Sequence, residues 1–507
     1  MSPVDPASRE ALAAESRGTV LVPGDPGYDA ARSVWNARVD RRPDAVLRCR
    51  GAADVAAGVS FARDRGLALG VKGGGHHVSG AAVPDGGLLV DLSPMDRVRV
   101  DPAERVARVG PGGDVDPETQ AHGLAVPGGQ DPNIGVGGLT LGGGVGWLSR
   151  QHGLTCDNLL AADVVTADGD LRRATETELP DLFWALRGGG GQFGVVTEFT
   201  FRLHEVGPTF PAGSLVYPAD RTAAVARYYR EFVAEAPRAA RPLFGSMILP
   251  VASAYPESVR GERVAIIIVC YAGPPAAGRR ALEPLRERGD PVMDSLRPRP
   301  YVEFQRAGDS EGARRTALRS QYMERLGEDA IGTIVAGVED APSDGATVFV
   351  SPRGGAETDP TTDATAYPHR SDAHHCLVEA RWDDPPARRR PRRVGPVAPV
   401  GTAAVRYRRR GAELPRRRRA AGTPQGGLRR QLRAPPRGQT DLGPGRRLRR
   451  PRSRRALRRP TSGLPSFTAL YGREAVHRTV RRAIRPVCGR RSVQSVSRSA
   501  PSTHSPR

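Results

Sequence analysis

The sequence predicts an α+β protein in two folded parts, followed by a segment of different character. Three observations carry that prediction. Glycines gather in three clusters before Gly207, strand-like and helix-like apolar patterns interleave on both sides of that point, and the charge breaks sharply after Pro385. With 507 residues the chain has room for two or three domains with sizeable cores. Its net charge of +21 is uneven. Residues 386–507 hold 35 Arg, no Lys and three acidic residues, a net +32, whereas the residues before them hold 41 basic and 52 acidic ones, a net −11. A nucleic-acid reading of the whole chain is therefore excluded.

Taken in order, MSPVDPASREALAAESRG at the start lacks the apolar stretch of a signal peptide. GAADVAAGVSFARDRG (Gly51 to Gly66) has apolar residues at helical spacing and a glycine stop, so it predicts a helix. LALGV (67–71) predicts a strand leading into VKGGGHHVSG, which holds the chain's one lysine. GGLLVDLSPMDRVRVD predicts two strands around Ser93-Pro94, and RVARVGPG another. VVTADGDL is a hairpin signal at Asp168-Gly169, and GQFGVVTEFTFRLHEV a strand alternating over Val195, Thr197, Phe199 and Phe201. Beyond Gly207-Pro208 the glycine clusters thin out. There AAVARYYREFVAEA and RRALEPLRERG predict helices, and RVAIIIVCYAG a buried strand. That last run is too short to span a bilayer, so a soluble cytoplasmic protein is expected. The five cysteines are scattered and odd in number, which gives neither a disulfide framework nor metal-ligand spacing. These signals divide the chain into an N-terminal segment (1–34), a glycine-loop domain (35–207), a second domain (208–385) and a basic low-complexity segment (386–507).

The chemistry is concentrated in GGGHH, in GVGGLTLGGGVGWLSRQHGLTCDNL (Gly135 to Leu159) and in LFWALRGGGGQFGVVT (Leu182 to Thr197). Ordering glycine costs roughly 0.5–1 kcal/mol per residue relative to Ala in regular structure. Clusters interleaved with Leu, Val, Trp and Phe therefore point to close approach of backbone to a ligand, or to N–H groups aimed at phosphate. No strand–GxGxxG–helix unit with a following acid marks a nicotinamide site, and no Gly-Lys-Ser/Thr marks a Walker loop. Adjacent His76 and His77 diverge and have no third ligand nearby, so no metal is expected.

RPDAVLRC, VKGGGHHVSG, GLTLGGGVGWLSRQHGLTCDNLL, VVTADG and DLFWALRGGGGQFGVVTEF, in that order and spacing, resemble the FAD-binding domain of the p-cresol methylhydroxylase and vanillyl-alcohol oxidase superfamily. Within it they are most similar to the berberine-bridge-enzyme-like, oxygen-dependent FAD-linked oxidoreductases. The resemblance covers about Trp35 to Glu205 and implies a PCMH-type FAD-binding domain followed by an antiparallel-sheet substrate domain. It implies a flavin bonded to His76, with Gly73, Gly74 and Gly75 around its pyrophosphate. Further contacts would come from Lys72, Ser79, Gly80, Gly137, Gly138, Thr140, Leu141, Gly142, Gly143, Gly144, Gly153, Asp157, Asn158, Val195 and Val196. A second link through cysteine would fall on Asp131, so single attachment is expected. A weaker match, GGAETDPTTDATAYPHRSDAHHCLVEARW (Gly354 to Trp382), makes Tyr367, His369 and Arg370 the catalytic candidates. The implied activity is oxidation of a small organic substrate by hydride transfer to FAD, with dioxygen as acceptor.

After EARWDDP the resemblance stops. The arginine-rich remainder cannot bury enough apolar surface to offset its ordering entropy, which predicts disorder. Two readings stand. One is a basic tail that binds nucleic acid or an acidic partner, on a catalytically impaired flavoprotein or binding protein. The other is a reading-frame shift, in which CGN arginine codons read one base later become GNN and the family's C-terminal motifs are lost.

Overall fold

The computed structural model describes residues 4–306, 314–339, 341 and 345–383. The basic segment, with both readings of it, lies outside them.

The first sheet contains β1 (Thr19–Leu21), β2 (Ala45–Arg48), β3 (Leu69–Lys72) and β4 (Leu88–Asp91) in the order β1–β2–β4–β3. β2, β4 and β3 run parallel, and β1 is an antiparallel edge. A parallel neighbour requires a crossover, and the helix Ala52–Asp64 follows β2 to begin that route. Its Val55, Val59 and Ala62 lie on one face and bury against Leu47, Leu88 and Val90. Gly58 lets it settle closely, since a Cβ there would lie 3.0 Å from both Leu47 and Val90 side chains.

The next sheet is antiparallel. It takes β5 (Val98–Asp101), β6 (Val106–Val109), β8 (Leu159–Val165), β9 (Leu171–Ala174) and β10 (Val195–Arg202) in the order β5–β6–β10–β8–β9, with the hairpin turn at Asp168-Gly169 as expected. β7 (Leu124–Ala125) pairs separately with β11 (His204–Glu205). β10 buries residues of both its faces, including Val196 as well as Phe199 and Phe201, because it is central.

The third sheet is the largest. β12 (Thr209–Pro218), β13 (Ala240–Ile248), β14 (Arg263–Tyr271), β15 (Met293–Asp294), β16 (Arg297–Pro300), β17 (Arg315–Met323), β18 (Ala346–Pro352) and β19 (His374–Trp382) form eight antiparallel strands. Their order is β15–β12–β14–β13–β18–β19–β17, with β16 also on β12. The apolar run RVAIIIVCYAG is β14. Its Ala265, Ile267 and Val269 face a core shared with the helices Thr222–Glu235, Pro275–Arg286 and Glu328–Glu339. Cys270 joins a different core with Trp147, Phe210 and Phe304. Apolar surroundings on both sides explain a run without polar alternation.

Candidate active site

The site begins where β3 delivers Gly73 to Gly80. A Cβ on Gly74 would lie 2.6 Å from the Gly135 nitrogen, and one on Gly73 2.8 Å from the Pro111 carbonyl oxygen. Backbone thus meets backbone where the first and middle glycine loops converge. Among the described residues, the N–H groups of Gly73, Gly74 and Gly75 donate no hydrogen bond. Beside them opens a cleft of about 450 Å³, lined by Gly112 to Asp114, Pro132 to Gly135 and Arg306.

His76 is half-buried and stacks on Trp35, with ring centroids 5.9 Å apart and planes at 22°. The Arg381 guanidinium of β19 lies 5.5 Å from the same indole. Asn36 is buried; it donates to Val78 O at 2.6 Å and Thr316 O at 3.0 Å, and accepts from Thr316 N at 2.9 Å. The His76 loop is therefore stapled to β17, a strand 280 residues away in sequence from Asn36. Ser79 shares a 2.7 Å hydrogen bond with the exposed His77 ring, and Gly80 turns back to bond His77 O. Lys72 is buried, donating to Ala31 O and lying 3.5 Å from Asp91.

In the middle loop Gly137, Gly138, Thr140 and Leu141 belong to the short helix Val136–Leu141, with the Thr140 hydroxyl on Val136 O at 2.7 Å. Gly142 ends it, Gly143 and Gly144 accept from Cys156 N and Thr155 N, and Gly153 ends the turn Ser149–His152. Asn158 donates to His152 O and Leu154 O and meets His204 at 2.6 Å. The third loop joins the second through Gly190 N to Leu141 O, 2.8 Å. Val195 and Val196 follow with their side chains in core clusters, so only their backbone is left to meet a ligand.

The segment Thr365 to Arg370 lands on these loops. A Cβ on Gly143, whose φ is +108°, would lie 2.4 Å from the Tyr367 ring; one on Gly188 would lie 2.5 Å from Tyr367 Cβ. The Tyr367 hydroxyl is 3.2 Å from both Tyr322 Oη and Arg353 Nη2. Burial raises its phenol well above the ordinary range. His369 stacks on Tyr322 at 3.8 Å, and its Nδ1 is 3.2 Å from Asp372 Oδ2. On Tyr322 too lies His375, 4.6 Å away, which burial pushes down to about 4 and keeps neutral. Arg370 is buried. Its Nη1 and Nη2 reach Asp157 Oδ2 and Oδ1 at 2.8 and 2.6 Å, and the same nitrogens reach Glu357 O and Thr365 Oγ1. That fork ties the TAYPHR segment to the middle loop.

Sequence reasoning missed Tyr322, Arg353 and Asn36. β17 and β19 pair with Tyr322 opposite His375, and nothing local in the sequence announces that pairing. Cys156 is fully buried beside Leu154 and Tyr367, as a small apolar residue would be. Among the described residues no group of three or more His, Cys, Asp or Glu is placed to hold a metal, and no helix is long and apolar enough to cross a membrane.

The profile of the family described as "FAD binding domain" matches residues 43–175. (R)-6-hydroxynicotine oxidase of Paenarthrobacter nicotinovorans is 35% identical over 312 residues, which is 61% of this chain and 67% of that one. The chain belongs to the FAD-linked oxidoreductases. The structure of 6-hydroxy-D-nicotine oxidase from Arthrobacter nicotinovorans superposes with a TM-score of 0.63 at 30% identity, covering 73% of this chain and 82% of that one. Physcomitrella patens BBE-like 1 shares the fold, with a TM-score of 0.66 at 22% identity over 74% and 84% of the two chains. The fold is the PCMH-type, berberine-bridge-like α+β architecture, and the enzyme is an FAD-dependent oxidoreductase. The donor set suits FAD: Gly73 to Gly75 offer backbone N–H groups that have no partner among the described residues, on loops so close that a Cβ at Gly73 or Gly74 would fill the space between them.

Proposed function

We propose that this FAD-linked oxidoreductase oxidises a small organic molecule at an alcohol, amine or sugar carbon, with the flavin bonded to His76 and dioxygen taking the electrons. One observation supports it above others. Asn36 staples the His76 loop to β17, and the same strand carries Tyr322, on which His369 stacks. The cofactor histidine and a catalytic candidate thus share one rigid support. When bound, the flavin supplies the acceptor for a hydride from the substrate carbon.

The chain's own residues do the rest. His369 takes the substrate proton. Asp372 holds its Nδ1, which leaves Nε2 as the acceptor, and the side chain is 41% exposed. Tyr367 and Arg370 are positioning residues: the first seats the segment on Gly143 and Gly188, and the second clamps it to Asp157. Residues 35–207 hold the cofactor through Gly73 to His76, Ser79, Gly80, Gly137, Gly138, Thr140 to Gly144, Gly153, Asp157, Asn158 and the backbone of Lys72, Val195 and Val196. Residues 208–385 hold the substrate.

The test is a visible spectrum of the purified protein before and after acid precipitation. Yellow colour stays in the pellet, and in His76→Ala it moves to the supernatant. Colour released from the unaltered protein removes the covalent bond from this reading. In His369→Gln the flavin content stays the same while the pH dependence of flavin reduction by substrate is lost; an unchanged profile would exclude His369 as the base.

A further inference from the structure

At one end of the large sheet, where β13 and β19 begin and β18 ends, three arginines are buried around one carboxylate. Arg150 is 6% exposed, Arg241 1% and Arg353 4%, and Glu357 is fully enclosed. Glu357 pairs with Arg241 through one oxygen and with Arg353 through the other, at 2.8 Å from Arg353 Nη1. Among the described residues Arg150 finds only a long 3.4 Å contact from Nη2 to the Ala236 carbonyl. The fourth buried arginine nearby, Arg370, is neutralised separately by Asp157.

Guanidinium groups do not give up their proton inside proteins. Three positive charges against one negative therefore remain, where buried charge is stable only if paired. The uncommitted atoms are mostly donors; the exceptions are Glu357 Oε2, which makes an ion pair with Arg353 but no hydrogen bond among the described residues, and the unprotonated nitrogen of the neutral His374 ring. Among the described residues Arg150 Nε and Nη1, Arg241 Nε and Nη2, and Tyr229 Oη have no hydrogen-bond partner, nor does either ring nitrogen of His374. The Tyr229 and His374 rings lie 6.2 Å apart, and Arg150 is close enough to feel the charges of Arg241 and Glu357. Burial pushes His374 down to about 4, so it enters as a neutral ring, and Tyr229 stays a phenol. A water molecule would bring two hydrogens to a place already crowded with them. An acceptor carrying negative charge meets both needs, and it must be small because the donors come from four close elements.

We propose that Arg150 and Arg241, with Tyr229 and His374, bind a small monovalent anion of the halide class at this end of the sheet. The bound anion cancels one of the two excess charges and ties the helical turn Ser149–His152 to β13. It thereby steadies Glu357, and through Glu357 the Arg353 that bonds the Tyr367 hydroxyl.

The experiment is thermal unfolding of the full chain at constant ionic strength, with sodium gluconate exchanged stepwise for sodium chloride or bromide. The expected result is a saturable rise in Tm of a few degrees, the size that ligand linkage gives for tens of multiples of Kd. In Arg150→Met the rise is absent, while the exposed Arg238→Met keeps it. A Tm indifferent to halide, or a full response in Arg150→Met, overturns the proposal. Crystals of the unaltered protein in bromide decide independently of any variant's folding. An anomalous peak between Arg150 and Arg241 supports the site, whereas water or a carboxylate side chain at that position overturns it.

Discussion

The glycine-loop half and the large-sheet half build their parts of the site by opposite means. In the first, side chains are removed. Gly74 meets Gly135, and Gly143 and Gly188 meet Tyr367, at distances no Cβ tolerates. In the second, charges are buried: Arg241 of β13 and Arg353 are held by Glu357, Arg370 is held by Asp157, and the guanidinium groups of Arg353 and Arg370 lie 5.6 and 5.2 Å from the Tyr367 ring. The first half is governed by volume and the second by charge balance. A lesion in the first is therefore relieved only by making room, whereas one in the second is relieved by removing the orphaned partner.

Substitutions can break that comparison. The largest effect is expected from Gly143→Ala, where a Cβ at φ +108° enters the Tyr367 ring. Overpacking and backbone strain together cost about 4 kcal/mol in denaturant unfolding. Adding Tyr367→Ala returns part of it; no loss in the single variant would mean that volume does not govern this half. Next comes Arg370→Met, which leaves the Asp157 carboxylate in a partly buried place. It costs about 3 kcal/mol, and Asp157→Leu in the same chain restores most of that. Additive losses in that cycle would contradict charge balance as the rule.

Asp116 sharpens the contrast as a buried carboxyl within the glycine-loop half. Burial, with Asp114 nearby, pushes it up to about 8. The unfolded chain releases this proton near pH 4 and the folded one keeps it to about pH 8. Stability therefore falls as pH rises through that window and levels off above it. Asp116→Asn removes the decline. Unfolding midpoints at pH 5 and about pH 6.5 should show the variant gaining about 2 kcal/mol over the parent at the higher pH, and parallel curves would place the proton elsewhere. The smallest effect belongs to Arg238→Ala. Its pair with Asp359 is exposed on both sides, so no change in Tm beyond measurement error is expected.

In both halves, what can be read from sequence is what neighbouring residues settle. Helix Ala52–Asp64, the Asp168-Gly169 hairpin and β14 follow from spacing, because each is settled by residues next to one another. The glycine loops are legible for the same reason. Lys72 illustrates the limit: its place beside the loop suggests a cofactor contact, yet its ammonium is committed to Ala31 and Asp91. Its ion pair arises from the parallel alignment of β3 with β4, which no local pattern encodes.

By itself the sequence determined the fold class, the three glycine loops and the family, since these rest on backbone conformations that neighbouring residues decide. Only the tertiary structure decided that Tyr322 lies under His369, that Asn36 joins the His76 loop to β17, and that Arg370 belongs to Asp157. These are contacts across 47 to 280 positions. They form when strands align and burial makes each polar group find a partner, and the chain's linear order carries no local trace of that requirement.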